Sequence, residues 1–389
     1  MLDFEFISPT KFIFGKDAEL KTGEEAAKYG KKALIHYGGG SVVKSGLLKR
    51  VQDSLHQAGI ETIELGGAQP NPRDTLVYKG IELCRTEKVD LIVAVGGGST
   101  IDSAKAIAVG VKYDGDFWDL YSGVEPRAKL PVGVVLTIPA AGSEGSVGSV
   151  ITKEDGMLKR SCDYDIMRPE FAVMNPELTY TLPPFQTACG VADIMAHTFE
   201  RYLTNTPGVD FTDRLCEAVL LSVMRNARIV MRDPRNYDGR ANIMWAGMVA
   251  HNNITGVGRE QDWSSHLLEH ELSGLYDVAH GAGLAVVLPA FMRYQLKNNI
   301  DRFAQLAVRV FGVSMDFADP ERTALEGIER LENFFREIGL PTTFAELGAK
   351  EEDIPVLVEK CNFNNGERVG YFHPLTRSQV AEVYRLACK

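Results

Sequence analysis

Up to about residue 180 the chain alternates short apolar runs with helix-length segments. The spacing predicts strands over 33–37, 61–65, 91–95 and 132–137, with helices over 43–58, 75–87 and from about 100. Apolar strands separated by helices belong in a mostly parallel sheet covered on both faces. Two of these strands run into the same four residues, Gly38-Gly39-Gly40-Ser41 and Gly96-Gly97-Gly98-Ser99, and then into a helix. After Leu182-Pro183-Pro184 the texture changes. Helical period runs through 185–203, 210–231, 240–252, 264–272, 282–297, 300–311, 320–338 and 378–388, and strand-like runs are scarce. The expected organisation is an α/β domain with a mostly parallel sheet over residues 1–182, then an all-helical domain over 183–389.

Composition narrows the class of partner. Of 389 residues, 45% are hydrophobic and 24% charged, which is globular rather than disordered. The net charge of −10 argues against nucleic acid or an anionic membrane surface as the main partner. No apolar run reaches the roughly 18 residues of a membrane span. The start, Met1-Leu2-Asp3-Phe4-Glu5, lacks the basic and apolar parts of a secretion signal. Six cysteines without a CxxC pair read as thiols in a reducing cytoplasm. The stretch 4–14, with Phe4, Phe6, Ile7, Phe12, Ile13 and Phe14, reads as an apolar strand edge that must be paired or covered. A homodimer joined partly through it is expected.

The two glycine loops carry the first chemical signal. Glycine lets backbone approach a ligand closely, and a helix start offers free N–H groups to a pyrophosphate. Gly97, Gly98 and Ser99 are the candidates at the second loop, and Gly38, Gly39 and Ser41 at the first. Neither loop is the GxGxxG fingerprint, because Ile101 and Val43 stand where its last glycine would be. No acid lies among residues 36–43 to take a ribose 2′-hydroxyl, and Lys44 is close by. That pattern tolerates a 2′-phosphate.

The second signal is a set of acids and histidines. Asp193 and His197 are four apart and share a helix face, as do His266 and His270. His280 follows beside Gly281. On one straight helix His266 and His280 would be about 21 Å apart, so they share an ion only if the helix stops between them, with Ser273-Gly274 as the expected stop. One carboxylate and three imidazoles then suit Fe(II) or Zn(II) and a Lewis-acid role. His36 and His56 lie on ordinary elements, and His251 and His373 lack acidic or histidine partners at metal spacing, so all four read as structural or solvated.

Taken in order, these segments resemble the iron-containing alcohol dehydrogenase family, in its NADP-preferring aldehyde reductase and butanol dehydrogenase branch. The likeness runs through Tyr37-Gly38-Gly39-Gly40-Ser41, Gly96-Gly97-Gly98-Ser99-x-x-Asp102-Ser103-Ala104-Lys105 and Thr137-Ile138-Pro139-Ala140-Ala141-Gly142-Ser143-Glu144. It continues through Asp193-x-x-x-His197, Trp263-x-x-His266-x-x-Glu269-His270-Glu271 and Ala279-His280-Gly281. The resemblance implies an active site in the cleft between the two domains. It places the metal on Asp193, His197, His266 and His280, with His270 near the nicotinamide rather than on the ion. Cofactor contacts fall on Gly97, Gly98, Ser99, Asp102, Thr137, Ser143, Lys159, Thr179 and Leu182. Ala141 stands where many members carry a threonine, one hydroxyl fewer near the cofactor. The stretch 362–366 is shorter than in the branch.

The expected activity is hydride transfer between NADP(H) and a primary alcohol or aldehyde, assisted by one divalent ion. Two rivals remain in view. One is a non-redox cyclase or lyase of the related sugar-phosphate fold, and the other a catalytically silent NADP-binding protein.

Overall fold

The computed structural model describes residues 1–363 and 367–389. The chain forms two compact units. One comprises Ile7–Leu182 and Arg235–Met248, and the other Met1–Phe6, Pro183–Pro234 and Val249–Lys389.

The first unit is built on six strands: β1 (Lys11–Phe14), β2 (Lys32–Tyr37), β3 (Glu61–Leu65), β4 (Leu91–Gly97), β5 (Val132–Ile138) and, after a hairpin of β6 (Gly148–Lys153) and β7 (Leu158–Asp163), β8 (Phe171–Met174). Their order is β1-β8-β5-β4-β2-β3, and every pairing is parallel. All of β4 is buried, as its unbroken apolar run requires. Helices of ten or more residues cover the sheet: α1 (Leu47–Gln57), α2 (Asp74–Glu87) and α3 (Gly98–Val111). The expected helix over 43–58 is divided by Gly46 at φ 73°, leaving a short turn of helix, Ser41–Lys44, before α1. The antiparallel β6–β7 hairpin had not been expected.

The chain steps outward from β2 to β3, returns to the other side of β2 with β4, and continues to β5. The switch point therefore lies between β2 and β4, where Tyr37 pairs with Val95. Ligands of open α/β sheets bind at the carboxyl ends of strands at such a point. Both glycine loops begin there.

Of the expected N-terminal strand only Lys11–Phe14 forms, as the outermost strand. Pro9 lacks a ladder donor and precedes it. Phe12 and Phe14 lie edge-on to Trp245, each at 5.9 Å.

The second unit is helical: α4 (Pro184–Tyr202), α5 (Asp210–Arg232), the end of α6 (Tyr237–His251), α7 (Ser264–Tyr276), α8 (His280–Gln295), α9 (Ile300–Arg309), α10 (Pro320–Glu337) and α11 (Arg377–Ala387). The helix carrying His266 does stop before His280, but not at Gly274, which is buried inside it. The stop is Asp277, left-handed at φ 52°, a conformation that Asp tolerates better than most residues. No described helix is long and apolar enough to cross a membrane. Part of the shortened stretch 362–366 lies outside the described residues.

Candidate metal centre and nucleotide loops

Gly97 ends β4 and Gly98 opens α3, so the loop is a strand-to-helix turn with Ser99 in the first turn. A Cβ on Gly98 would stand 2.7 Å from the Cβ of Ala141, which is why glycine is required where the β5–β6 loop closes over the helix start. Gly38 and Gly39 follow β2, and Ser41 begins the short helix after them. Thr137 is near the end of β5. The structure joins Asp102 and Ser143 directly. Ser143 Oγ donates to Asp102 Oδ1 at 2.6 Å, and Val150 N donates to Oδ2 at 3.0 Å. Burial raises the Asp102 carboxyl, opposed by nearby Lys105 and these donors.

Beneath this loop sits Lys105, which sequence reasoning quoted but gave no role. It is buried, and its Nζ donates to the carbonyls of Ser146 (3.0 Å) and Gly148 (2.8 Å). Burial pulls its ammonium down to about 8 and pushes the neighbouring Glu144 carboxyl up to about 7. Lys159 lies on β7 opposite Thr152, and Thr179 Oγ donates to Pro176 O at 2.7 Å, three residues before Leu182.

In the helical unit Asp193, His266 and His280 offer ligand atoms that all lie within 4.8 Å of one another, and His197 meets this group through Asp193. Asp193 and His197 lie on α4, His266 on α7, and His280 opens α8. Gly281 makes the last approach possible, since a Cβ there would stand 2.0 Å from Cys189 O on α4. One oxygen, Asp193 Oδ1, lies 3.6 Å from His197 Nδ1, 3.5 Å from His266 Nε2 and 3.6 Å from His280 Nε2. Ligands at about 2.1 Å around a tetrahedral ion stand about 3.4 Å apart. Asp193 Oδ1, His197 Nδ1 and His266 Nε2 are buried with no hydrogen-bond partner among the described residues. Buried polar atoms are rarely left so, and a cation is what this donor set fits. The His280 side chain is 26% exposed, against 5% for His197, which leaves an open side.

A second grouping, Glu269, His270 and His280, also brings ligand atoms within 4.8 Å of one another. In this second group Glu269 is already engaged by Ser273 Oγ and His280 Nδ1. The His270 ring stands perpendicular to His266 at 6.5 Å and lies 5.7 Å from His280.

Two carboxylates to which the sequence reading gave no role hold the histidines. Glu200 accepts from His266 Nδ1, from Ser265 Oγ (2.6 Å) and from His266 N (3.0 Å). Glu269 accepts from His280 Nδ1. Each carboxylate holds the proton on Nδ1 and leaves Nε2 as the ligand atom. Their signal was present in the spacing: Glu200 is three after His197, and Glu269 three after His266. Burial alone would lower His266, but Glu200 and Asp193 outweigh it and lift the imidazole to about 9. Burial, with His251 and His266 beside it, holds His197 well below the usual range. His251, expected to be incidental, packs its ring 4.0 Å from that of His197.

A parallel α/β unit with glycine loops at its switch point, and a helical unit with clustered acid and histidine side chains, fit a metal-dependent nicotinamide oxidoreductase. The chain matches "Iron-containing alcohol dehydrogenase" over residues 9–176 and "Fe-containing alcohol dehydrogenase family, C-terminal" over 187–388. It belongs to the iron-containing alcohol dehydrogenase family, whose members include alcohol dehydrogenases and aldehyde reductases.

Particular relatives can be named. The chain is 39% identical to NADH-dependent butanol dehydrogenase A of Clostridium acetobutylicum, over 99% of each chain. It is 36% identical to the NADPH-dependent aldehyde reductase YqhD of Escherichia coli, over the full length of both. The crystal structure of NADH-dependent butanol dehydrogenase A from Thermotoga maritima superposes with a TM-score of 0.96 at 36% identity, covering 100% of this chain and 99% of that one.

Proposed function

We propose that the chain is an NADP(H)-dependent aldehyde reductase and primary alcohol dehydrogenase, with the nucleotide held by residues 1–182 and one Fe(II) or Zn(II) by residues 183–389. The observation that supports this reading is the approach of His197, His266 and His280 to one oxygen of Asp193, with three of these polar atoms otherwise unpartnered among the described residues. A divalent ion held there supplies a Lewis acid that polarises a carbonyl oxygen, and the nicotinamide supplies the hydride.

The chain's own residues do the rest. Gly97, Gly98 and Ser99 offer the pyrophosphate the N–H groups at the start of α3. Gly38, Gly39 and Ser41 bring no carboxylate to the adenine ribose, which favours NADPH, with Lys159 as a further basic contact. Thr137, Asp102, Ser143, Thr179 and Leu182 line the cofactor, Asp102 and Ser143 as one bonded pair. Glu200 and Glu269 keep two ligand imidazoles in the Nε2-acceptor tautomer. His270, beside the ligands and not among them, holds the proton that the product alcohol requires.

The relatives support butanal-sized aldehydes as first substrates. They include both NADH- and NADPH-dependent enzymes, so the nucleotide preference rests on the glycine loop. Four filled ligand positions oppose a silent binding protein. The apolar flanks Ile194, Met195, Leu268 and Leu272, all fully buried, oppose a sugar-phosphate site at the ion. We further read the protein as cytoplasmic and homodimeric. Phe4, Phe6, Ile7 and Phe14 are exposed, and β1 is the outermost strand, so a second copy is the partner that would cover them.

The test is loss of absorbance at 340 nm with butanal and NADPH, on apoprotein reloaded separately with Fe(II) and Zn(II). No oxidation with either ion overturns the reading.

A further inference from the structure

We propose that His251, clamped by Arg201, is a positioning residue for the metal ligand His197. The inference rests on the four-ligand centre described above and concerns how its least supported ligand is oriented.

The three ligand imidazoles are not held alike. His266 and His280 each give Nδ1 to a buried glutamate. Among the described residues, the only carboxylate within ion-pair distance of His197 is Asp193, the other ligand. Nothing of the carboxylate kind therefore sets the plane of the His197 ring.

Instead, that ring lies against other rings. Its centroid is 4.0 Å from His251 at an interplanar angle of 36°, and 4.5 Å from His266 at 24°. His251 is the last residue of α6, on a different helix from each of the proposed ligands. Arg201, one turn beyond His197 on α4, is 2% exposed. Its Nη1 donates to His197 O at 2.9 Å, and its Nη2 to His251 Nδ1 at 3.3 Å. A guanidinium only donates, so His251 Nδ1 is the acceptor and the ring carries its proton on Nε2.

The guanidinium lies over Trp263, 4.7 Å from the ring centroid. Trp263 in turn meets His251 edge-on at 5.6 Å and His266 at 5.5 Å. A buried cation and the Trp263 ring thus fix His251 from behind while its face bears on His197. Groups that orient a ligand commonly alter metal affinity 10–100-fold without touching the ion.

The test uses the full chain freed of metal and titrated with cobalt(II), whose visible ligand-field bands report ligand geometry. His251→Ala is expected to weaken cobalt binding roughly 10–100-fold and to shift those bands. His251→Asn, which keeps an acceptor for Arg201 but removes the ring, is expected to do the same and decides the matter if the alanine variant does not fold. Affinity within twofold of the unmodified protein, or weaker binding with unchanged bands, overturns the proposal. An unmodified protein that takes up no cobalt overturns the proposed function instead, so the two failures are distinguishable.

Discussion

At the scale of single residues, the proposed function gives His266 and His270 different roles, one as a metal ligand and the other in proton transfer. His266→Ala removes an Nε2 that faces Asp193 at 3.5 Å, so metal content should collapse, and activity with it, while NADPH binding persists. His270→Ala should keep the metal and slow turnover by about 10²–10⁴-fold. Metal analysis of both variants separates the roles, and equal metal loss would make His270 a ligand. Glu144 offers a test of electrostatics away from the ion. Burial pushes its carboxyl from 4.5 to about 7, and one of its oxygens has no partner among the described residues. Between those values the folded protein binds more protons than the unfolded chain, so this group's contribution to stability falls as pH rises from about 4.5 to 7. Glu144→Gln should therefore gain on the unmodified protein over that window, by roughly 1–3 kcal/mol at pH 8 relative to pH 4.5. Denaturant melts at the two pH values give the difference.

At the scale of elements, what was legible depended on whether a signal was local. Strand β4 is a continuous apolar run and β5 nearly one, which made both legible as buried strands. Of the two i, i+4 pairs, Asp193 and His197 are both proposed ligands, whereas His266 is one and His270 is not. The β6–β7 hairpin was missed because its strands mix charges with apolar residues, although Asp155-Gly156 marks the turn and Gly156 takes φ 82°. The place of the helix stop was also misread, because burial keeps Gly274 helical and a non-glycine residue, Asp277, takes the left-handed conformation. His251 was out of reach altogether, since only tertiary packing brings it to His197. The close crossing of α4 and α8 has its own test. In Gly281→Ala the new methyl meets a backbone carbonyl that cannot rotate away, so the helices must part. The expected loss is about 1–3 kcal/mol, with weaker metal binding because His280 moves with α8. Thermal melts and metal content measured together check both parts.

At the scale of the whole molecule, nucleotide preference and assembly are the open readings. Gly39→Asp places a carboxylate at the first loop and should turn preference from NADPH towards NADH by like-charge repulsion. Equal kcat/KM for both nucleotides in the unmodified protein would remove the premise. A monomeric mass by light scattering at micromolar concentration would remove the homodimer.

The nucleotide unit is not contiguous: Trp245, edge-on to Phe12 and Phe14 of its first strand, comes from the segment Arg235–Met248. On the ribosome, the sheet residues through Leu182 are made before that aromatic cover exists. At about 5–20 residues per second, synthesis of residues 183–248 takes roughly 3–13 s. For that interval the nascent sheet presents an uncovered phenylalanine edge, the kind of surface that chaperones hold. A chain ended at Leu182 never leaves this state, and it should bind a hydrophobic dye and aggregate where the full chain does neither.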